Sequence, residues 1–488
     1  MDEANFQASK DTVNNQIKLI SRVYQSPGWI VAVAFVLRLV VSLFLIEGQF
    51  SPERDHFSFG WETGRIARSV AQGEGFSSPL HATTGPTAWM PPVYVYLVAA
   101  VFKVFGVYTL KSAIVALTLN SIFSALTCLT VYLIAYKSFG RVIAIRAGWM
   151  WALFPYAIYF PACRVWDNSL NALLFSLLFL AALRLEDLTS LKAWLGFGLL
   201  AGLATLSCQP VLLVTILLIA RVCYRNRRRG KPWVWQAGLA ALMILLVMSP
   251  WFVRNYLTFD RFIPFRSTFW LVMRSGNTGD LSDIVPDWAH PATNKAEMEE
   301  YRRLGELNYM DAKRRQALDF IYAYPNAFIS LTVRRFFCVW TGFWSLHLFL
   351  TDGQYTFHAF LTTIITIFML AGLSKAWRSD RAAAMPYLIA LLSFPLVYYA
   401  AHPHAEYRHP IDTIIVALAV YGADGFFAGF RRSRLKSAPE DRKLKALSAD
   451  ETIRLQSHRA FFLFRSACLS HRPLLPPAPV HESFVRKT

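Results

Sequence analysis

Long apolar runs alternate with short polar segments along nearly the whole chain. A helix that crosses a bilayer needs ~20 mostly apolar residues. Runs of that kind fall at 29–47, 112–136, 142–160, 169–185, 192–207, 210–222, 234–253, 355–373, 384–400 and 411–429. Only Cys208-Gln209-Pro210 separates 192–207 from 210–222, which predicts a tight hairpin. Two further runs are ambiguous. Residues 91–105 would make a helix of about 22 Å at ~1.5 Å per residue, too short to span. Residues 326–348 carry Arg334 and Arg335 near the middle, where a charge in lipid is expensive.

Loop charge decides both cases, because cytoplasmic loops collect Lys and Arg. With the N-terminus inside, beside Lys10, Lys18 and Arg22, ten spans put Lys137–Arg141, Arg221–Lys231, Lys375–Arg381 and the tail from Arg431 on the inner side. Both ambiguous runs then lie along the surface as interfacial helices. A twelve-span arrangement would turn the loops between the two added helices outward. The ten-span reading gives a cytoplasmic segment 1–28, a membrane domain 29–430 and a basic tail 431–488 whose Pro473, Pro476, Pro477 and Pro479 read as disordered. Segments 48–111, 161–168, 254–354 and 401–410 share the outer side. The expected fold class is an all-α multi-pass membrane protein with external loops.

Composition agrees. Of 488 residues, 55% are hydrophobic and 17% charged, and the mean hydropathy is +0.34; soluble domains carry ~25% charge. The net charge of +19 would suit a nucleic-acid binder. Its concentration beside apolar helices suits anionic lipid instead, so membrane lipid is an expected partner and nucleic acid is not. The six cysteines show no pairing pattern, and the first apolar run lacks a small-residue cleavage site, so it reads as a retained span.

The unusual polar residues lie in the outer segments. The first holds Asp55, Glu62, Arg65 and Arg68, then Gly73-Glu-Gly-Phe76 and Pro86-Thr-Ala-Trp-Met-Pro-Pro92. A helix from Phe59 to Val70 would put Glu62 and Ile66 on one face. Glu62 or Asp55 then points into a cavity, or the helix is a solvated amphipathic one. The second holds Arg164 and Asp167, which form a local ion pair, a helix N-cap or a second acid facing the first segment. Arg254 and Asn255 end the seventh run; they snorkel or hold a phosphate bidentately. The last, His402-Pro-His404-Ala-Glu406-Tyr407-Arg408-His409-Pro410, lacks zinc-site spacing. Arg408 there, with His402 or His404, suits a phosphate, unless it pairs with Glu406 and only shapes the loop.

In this order, the motifs resemble bacterial members of the GT-C superfamily of glycosyltransferases, over roughly residues 29–430. The nearest groups are the dolichyl-phosphate-mannose protein mannosyltransferase-like proteins and the lipid A aminoarabinose transferases. The motifs are acid-x-x-x-x-Ala, Gly-x-Gly-Phe, Pro-Thr-Ala-x-x-Pro-Pro-x-Tyr, Arg-x-x-acid, Pro-Trp-x-x-Arg-Asn and Tyr-Arg-x-Pro. The resemblance implies a GT-C-like helical bundle and a polyprenyl-phosphate-linked sugar as donor. It further implies a lipid, glycan or protein acceptor, and inversion at the anomeric carbon on the periplasmic face of the inner membrane. Glu62 or Asp55 becomes the base, Asp167 the second acid, and Arg254 and Arg408 the phosphate ligands. No cofactor is required, although a divalent cation is compatible. The rival expectation is a multi-pass transporter or lipid flippase, disfavoured because acids gather outside the spans rather than within them.

Overall fold

The computed structural model describes residues 24–46, 50, 56–188, 190–278 and 289–436, with side chains to 426. Asp55, one of the two candidate first-segment acids, lies outside them. The chain divides into two compact units, residues 1–424 and 425–488. All interactions below belong to the first; the described part of the second, 425–436, is helical.

The described residues are helical with one isolated antiparallel bridge, Ser77 to Pro86. In chain order the helices are α1 (Pro27–Leu45), α2 (Glu62–Gln72), α3 (Pro92–Phe105), α4 (Leu110–Phe139), α5 (Arg141–Ala152), α6 (Pro155–Cys163), α7 (Asn168–Leu185), α8 (Leu191–Ser207), α9 (Val211–Arg228) and α10 (Val234–Phe259). They continue as α11 (Phe269–Gly276), α12 (Lys295–Leu304), α13 (Glu306–Ala323), α14 (Pro325–Thr341), α15 (Leu346–Thr351), α16 (Gly353–Ser379), α17 (Arg381–Ser393), α18 (Leu396–Ala400) and α19 (Ala405–Lys436). Seven stretches are long and apolar enough to cross a membrane: α1, α4, α5 with α6, α7, α10, α16, and α17 with α18. The remaining predicted runs form α8, α9 and α19. The hairpin expected at Cys208–Pro210 joins α8 to α9.

The run at 142–160 is not one helix. Pro155 has no N–H to donate and disfavours helical backbone at Phe154, so α5 stops at Ala152 and α6 starts at the proline. The stop leaves carbonyls of α5 without helical partners. Arg38 of α1, fully buried, donates to Ala152 O at 3.1 Å, Trp151 O at 3.1 Å and Ala34 O at 2.8 Å, and to Ser124 Oγ at 2.8 Å. A buried guanidinium is tolerable only when its donors are met, and the helix break supplies the acceptors.

The two ambiguous runs are both helices. The second breaks at Gly342, whose φ of 67° ends α14. Its two arginines separate. Arg334 lies over the Trp344 ring at 4.7 Å. Arg335 turns inward, 1% exposed, donating to Ala400 O at 2.7 Å, Asn277 Oδ1 at 3.2 Å and Gly276 O. The first-segment helix starts at Glu62 rather than Phe59, because His56–Gly60 form a tight turn first.

Candidate functional site

The four segments expected to share one side meet one another. Val165 N–H donates to Ser58 O at 2.8 Å, joining the second segment to the first. A Cβ on Gly60 would sit 2.5 Å from Val165 O, so only glycine permits this approach, and its φ of 84° asks for glycine as well. Asn120 of α4 holds the far side of the second segment. It accepts from Tyr94 OH at 2.9 Å and donates to Arg164 O at 3.2 Å and Trp166 O at 3.3 Å.

Glu62 opens α2 directly after Trp61, whose φ of 45° is unusual for a bulky residue. The Glu62 side chain is 15% exposed, and its Oε1 lies 3.6 Å from His290 Nε2. Trp61 and Trp89 bracket that imidazole at ring distances of 6.5 and 5.8 Å.

Asp167 stands at the N-cap position of α7, but its side chain makes no capping bond. Nor does it pair with Arg164, whose Nη1 reaches Glu406 Oε1 at 3.2 Å. Both local explanations for Asp167 therefore fail. Burial pushes its carboxyl up, against a hydrogen bond from Asn171 and the Arg266 charge, which pull it down.

Glu406, 6% exposed, also lies 3.8 Å from His404 Nδ1. Burial raises it to about 7, with Arg164 opposing and Asp167 reinforcing the shift. Arg408 does not pair with Glu406. Its Nε donates to Asp412 Oδ1 at 2.9 Å and its Nη1 to Val339 O at 3.1 Å, and it is 6% exposed. It borders a cavity of about 10 Å³ with Tyr398, His404 and Tyr407, room for one water.

His402 Nε2 lies 3.2 Å from Tyr407 OH. Burial first, then the charges of His404, Arg335 and Arg266, drop His402 to about 3. Burial and Arg164 drop His404 to about 4, although its side chain is 52% exposed. No three His, Cys, Asp or Glu side chains among the described residues are grouped to hold a metal ion.

Arg254 and Asn255 face a different task. Arg254 donates to Thr87 O at 2.7 Å, Phe76 O at 2.8 Å and Asn255 Oδ1 at 2.9 Å, and lies over the rings of Phe76 and Trp251. Asn255, fully buried, donates to Ile263 O at 2.8 Å. Together they tie the Gly73–Thr87 hairpin to the end of α10.

The residue that sequence reasoning missed is Arg266. It has no hydrogen-bonding or ion-pair partner among the described residues, yet its charge acts on Asp167, Tyr398, His402 and Tyr407. Only a lone arginine in an irregular stretch marks it in the sequence. Tyr407 is the second omission. It stacks on Tyr398 at 5.1 Å. Burial raises it to about 12, and it feels the charges of Arg266, Glu406, Glu62 and Asp167.

Residues 90–253 match the family model described as dolichyl-phosphate-mannose-protein mannosyltransferase. The structure is similar to the Archaeoglobus fulgidus oligosaccharyltransferase tethered with an acceptor peptide. The two share 14% identity and a TM-score of 0.50 over 83% of this chain and 50% of that one. It also aligns with ArnT from Cupriavidus metallidurans bound to undecaprenyl phosphate, at 16% identity and a TM-score of 0.37 over 83% of this chain and 79% of that one. The likeness to the oligosaccharyltransferase shows a shared fold. No curated protein sequence matches the chain. The chain spans about half the length of the oligosaccharyltransferases it aligns with. The matched family region 90–253 holds Arg164 and Asp167 but ends before Arg254, Arg266 and the 401–409 segment.

Proposed function

We propose that this protein moves a monosaccharide from a polyprenyl-phosphate donor to a lipid, glycan or protein acceptor at the outer face of the cell membrane, with inversion. The observation that carries the reading is the convergence on Tyr407 of three acids and one unpaired guanidinium from four separate segments. The matched family's name, which pairs a prenyl phosphate with a sugar, supports the donor class.

Transfer breaks the bond between the anomeric carbon and the phosphate oxygen and forms one to an acceptor hydroxyl. Arg266 meets the charge of the departing polyprenyl phosphate with a fork that fits two oxygens. Glu62, which carries no strong partner beyond His290, takes the acceptor proton. Asp167, on which the Arg266 charge acts, orients the acceptor and the guanidinium. Arg164 and His404 hold Glu406 beside Tyr407. Arg254, Asn255 and Arg408 act by holding the loops, since their donors are already engaged.

The test is purified protein with a panel of radiolabelled polyprenyl-phosphate sugars. Label appearing in an acceptor, and lost in Glu62→Gln and Arg266→Ala, supports the reading. Movement of lipid-linked sugar across vesicles without transfer favours a flippase instead. Reporter fusions after Arg228 and Arg378 should read as cytoplasmic and one near Gly75 as external; the reverse would put the site on the wrong face.

A further inference from the structure

Glu306 opens α13 and is 7% exposed. A carboxylate suits the first turn of a helix, but burial this deep needs compensating donors. It has four: the Thr87 hydroxyl, Ala88 N–H at 2.8 Å, the Ser267 hydroxyl at 2.7 Å and the Tyr301 hydroxyl at 3.1 Å. Ala88 N–H donates to Glu306 and the three hydroxyls are placed to do so; burial pushes its carboxyl up, and these four hydrogen bonds oppose that shift.

These bonds join three parts of the site. Thr87 Oγ1 also accepts from Trp89 N–H at 3.0 Å, so its hydroxyl is fixed in both roles. The strip 87–89 is then tied to the segment after α10: Ser267 N–H donates to Ala88 O at 2.9 Å, and Thr268 Oγ1 to Trp89 O at 3.3 Å. Ser267 directly follows Arg266. Trp89 meets the His290 ring at 5.8 Å, and His290 lies 3.6 Å from Glu62.

We propose that Glu306 is a positioning residue that sets Arg266 against the donor phosphate through Ser267 and sets Glu62 through Trp89 and His290. This rests on Arg266 meeting that phosphate. An arginine with no partner among the described residues is aimed chiefly by its backbone, so whatever fixes Ser267 bears on the clamp. Shifts of about 1 Å in such a group cost up to ~100-fold.

The experiment uses the full chain in lipid nanodiscs, with undecaprenyl phosphate as the binding probe and thermal melting as the folding control. Arg266→Ala should weaken binding by ~10- to 100-fold and Glu306→Gln by about 10-fold, because the new amide nitrogen turns its donors on two of the four groups that donate to the carboxylate. Ser267→Ala, a smaller change, should weaken it by roughly 3-fold with little loss of melting temperature. The deciding readout is the double variant. Glu306→Gln with Arg266→Ala should bind no worse than Arg266→Ala alone, because Glu306 acts through that arginine; independent structural damage would add. Unchanged binding in Arg266→Ala removes the clamp and the reading of the site with it. A weakened Arg266→Ala beside unchanged Glu306→Gln and Ser267→Ala, or additive losses in the double variant, overturns the positioning role alone. If Glu306→Gln does not fold, Ser267→Ala and its combination with Arg266→Ala carry the same comparison.

Discussion

At one end of the bundle, Glu186 after α7 accepts from both Arg221 and Arg225 of α9, and Arg229 reaches its carbonyl at 3.3 Å. Lys137 at the end of α4 meets Asp187 at 2.8 Å. Each acid there is matched by a neighbouring base. At the other end the matching is incomplete: Asp167 neither caps its helix nor pairs with Arg164, Glu62 pairs with an imidazole, and Arg266 has no hydrogen-bonding or ion-pair partner among the described residues. Charged groups without charged partners cost stability, and functional sites are where such groups tend to cluster. The same contrast separates two arginines twelve residues apart. Arg254 spends its donors on carbonyls and rings, whereas Arg266 keeps its own.

If the unmatched end is the working end, the largest effect belongs to the acids. Glu62→Gln should lower turnover by ~10²–10⁴, the usual worth of a placed base, with donor binding retained. Asp167→Asn should lower it comparably or less. Full turnover in both variants would erase the contrast between the ends.

The arginines come next. Arg266→Ala should weaken donor binding while leaving the melting temperature nearly unchanged. Arg254→Ala should do the reverse, destabilising by on the order of 3 kcal/mol through its orphaned carbonyl acceptors. A swap of these phenotypes in paired binding and melting measurements would assign the phosphate to Arg254 after all.

A smaller effect is expected in pH. Glu406 faces Arg164, His404 and Asp167, and in the folded chain it is held at about 7 against an ordinary 4.5. A raised carboxyl favours folding while protonated. Its contribution is full below 4.5 and is lost as pH climbs through 7. His404, held near 4, stays neutral over that range. Wild type should therefore lose melting temperature relative to Glu406→Gln between those values, and parallel melting curves would show that Glu406 is ordinary.

The smallest effect belongs to the matched end. Lys137 and Asp187 are 34% and 63% exposed, so Lys137→Ala should change stability by less than ~1 kcal/mol and transfer not at all. A large loss of transfer there would mean that the paired end also takes part in chemistry.

Much of the architecture was legible because hydrophobic period and length act locally. The apolar runs became helices, the Cys208–Pro210 hairpin formed where a proline allowed it, and 91–105 and 326–348 proved helical. The break at 153–154 was written in Pro155, yet what makes it tolerable, Arg38 from another helix, was not. Side-chain partners depend on distances between segments far apart in the chain. Spacing made Arg164 with Asp167 and Arg408 with Glu406 plausible pairs. The fold instead gave Arg164 to Glu406 and Arg408 to Asp412, since Arg408 and Asp412 stand one turn apart on α19. Glu306 and Arg266 belong to no motif, and Tyr407, although it opens Tyr-Arg-x-Pro, drew no role there; what meets the three in space sets them apart. The sequence by itself thus determined a helical membrane protein with its acids gathered in particular loops, because burial and helix formation need only nearby residues. Only the tertiary structure decided which charges are left without partners, because that depends on the whole set of neighbours a fold provides.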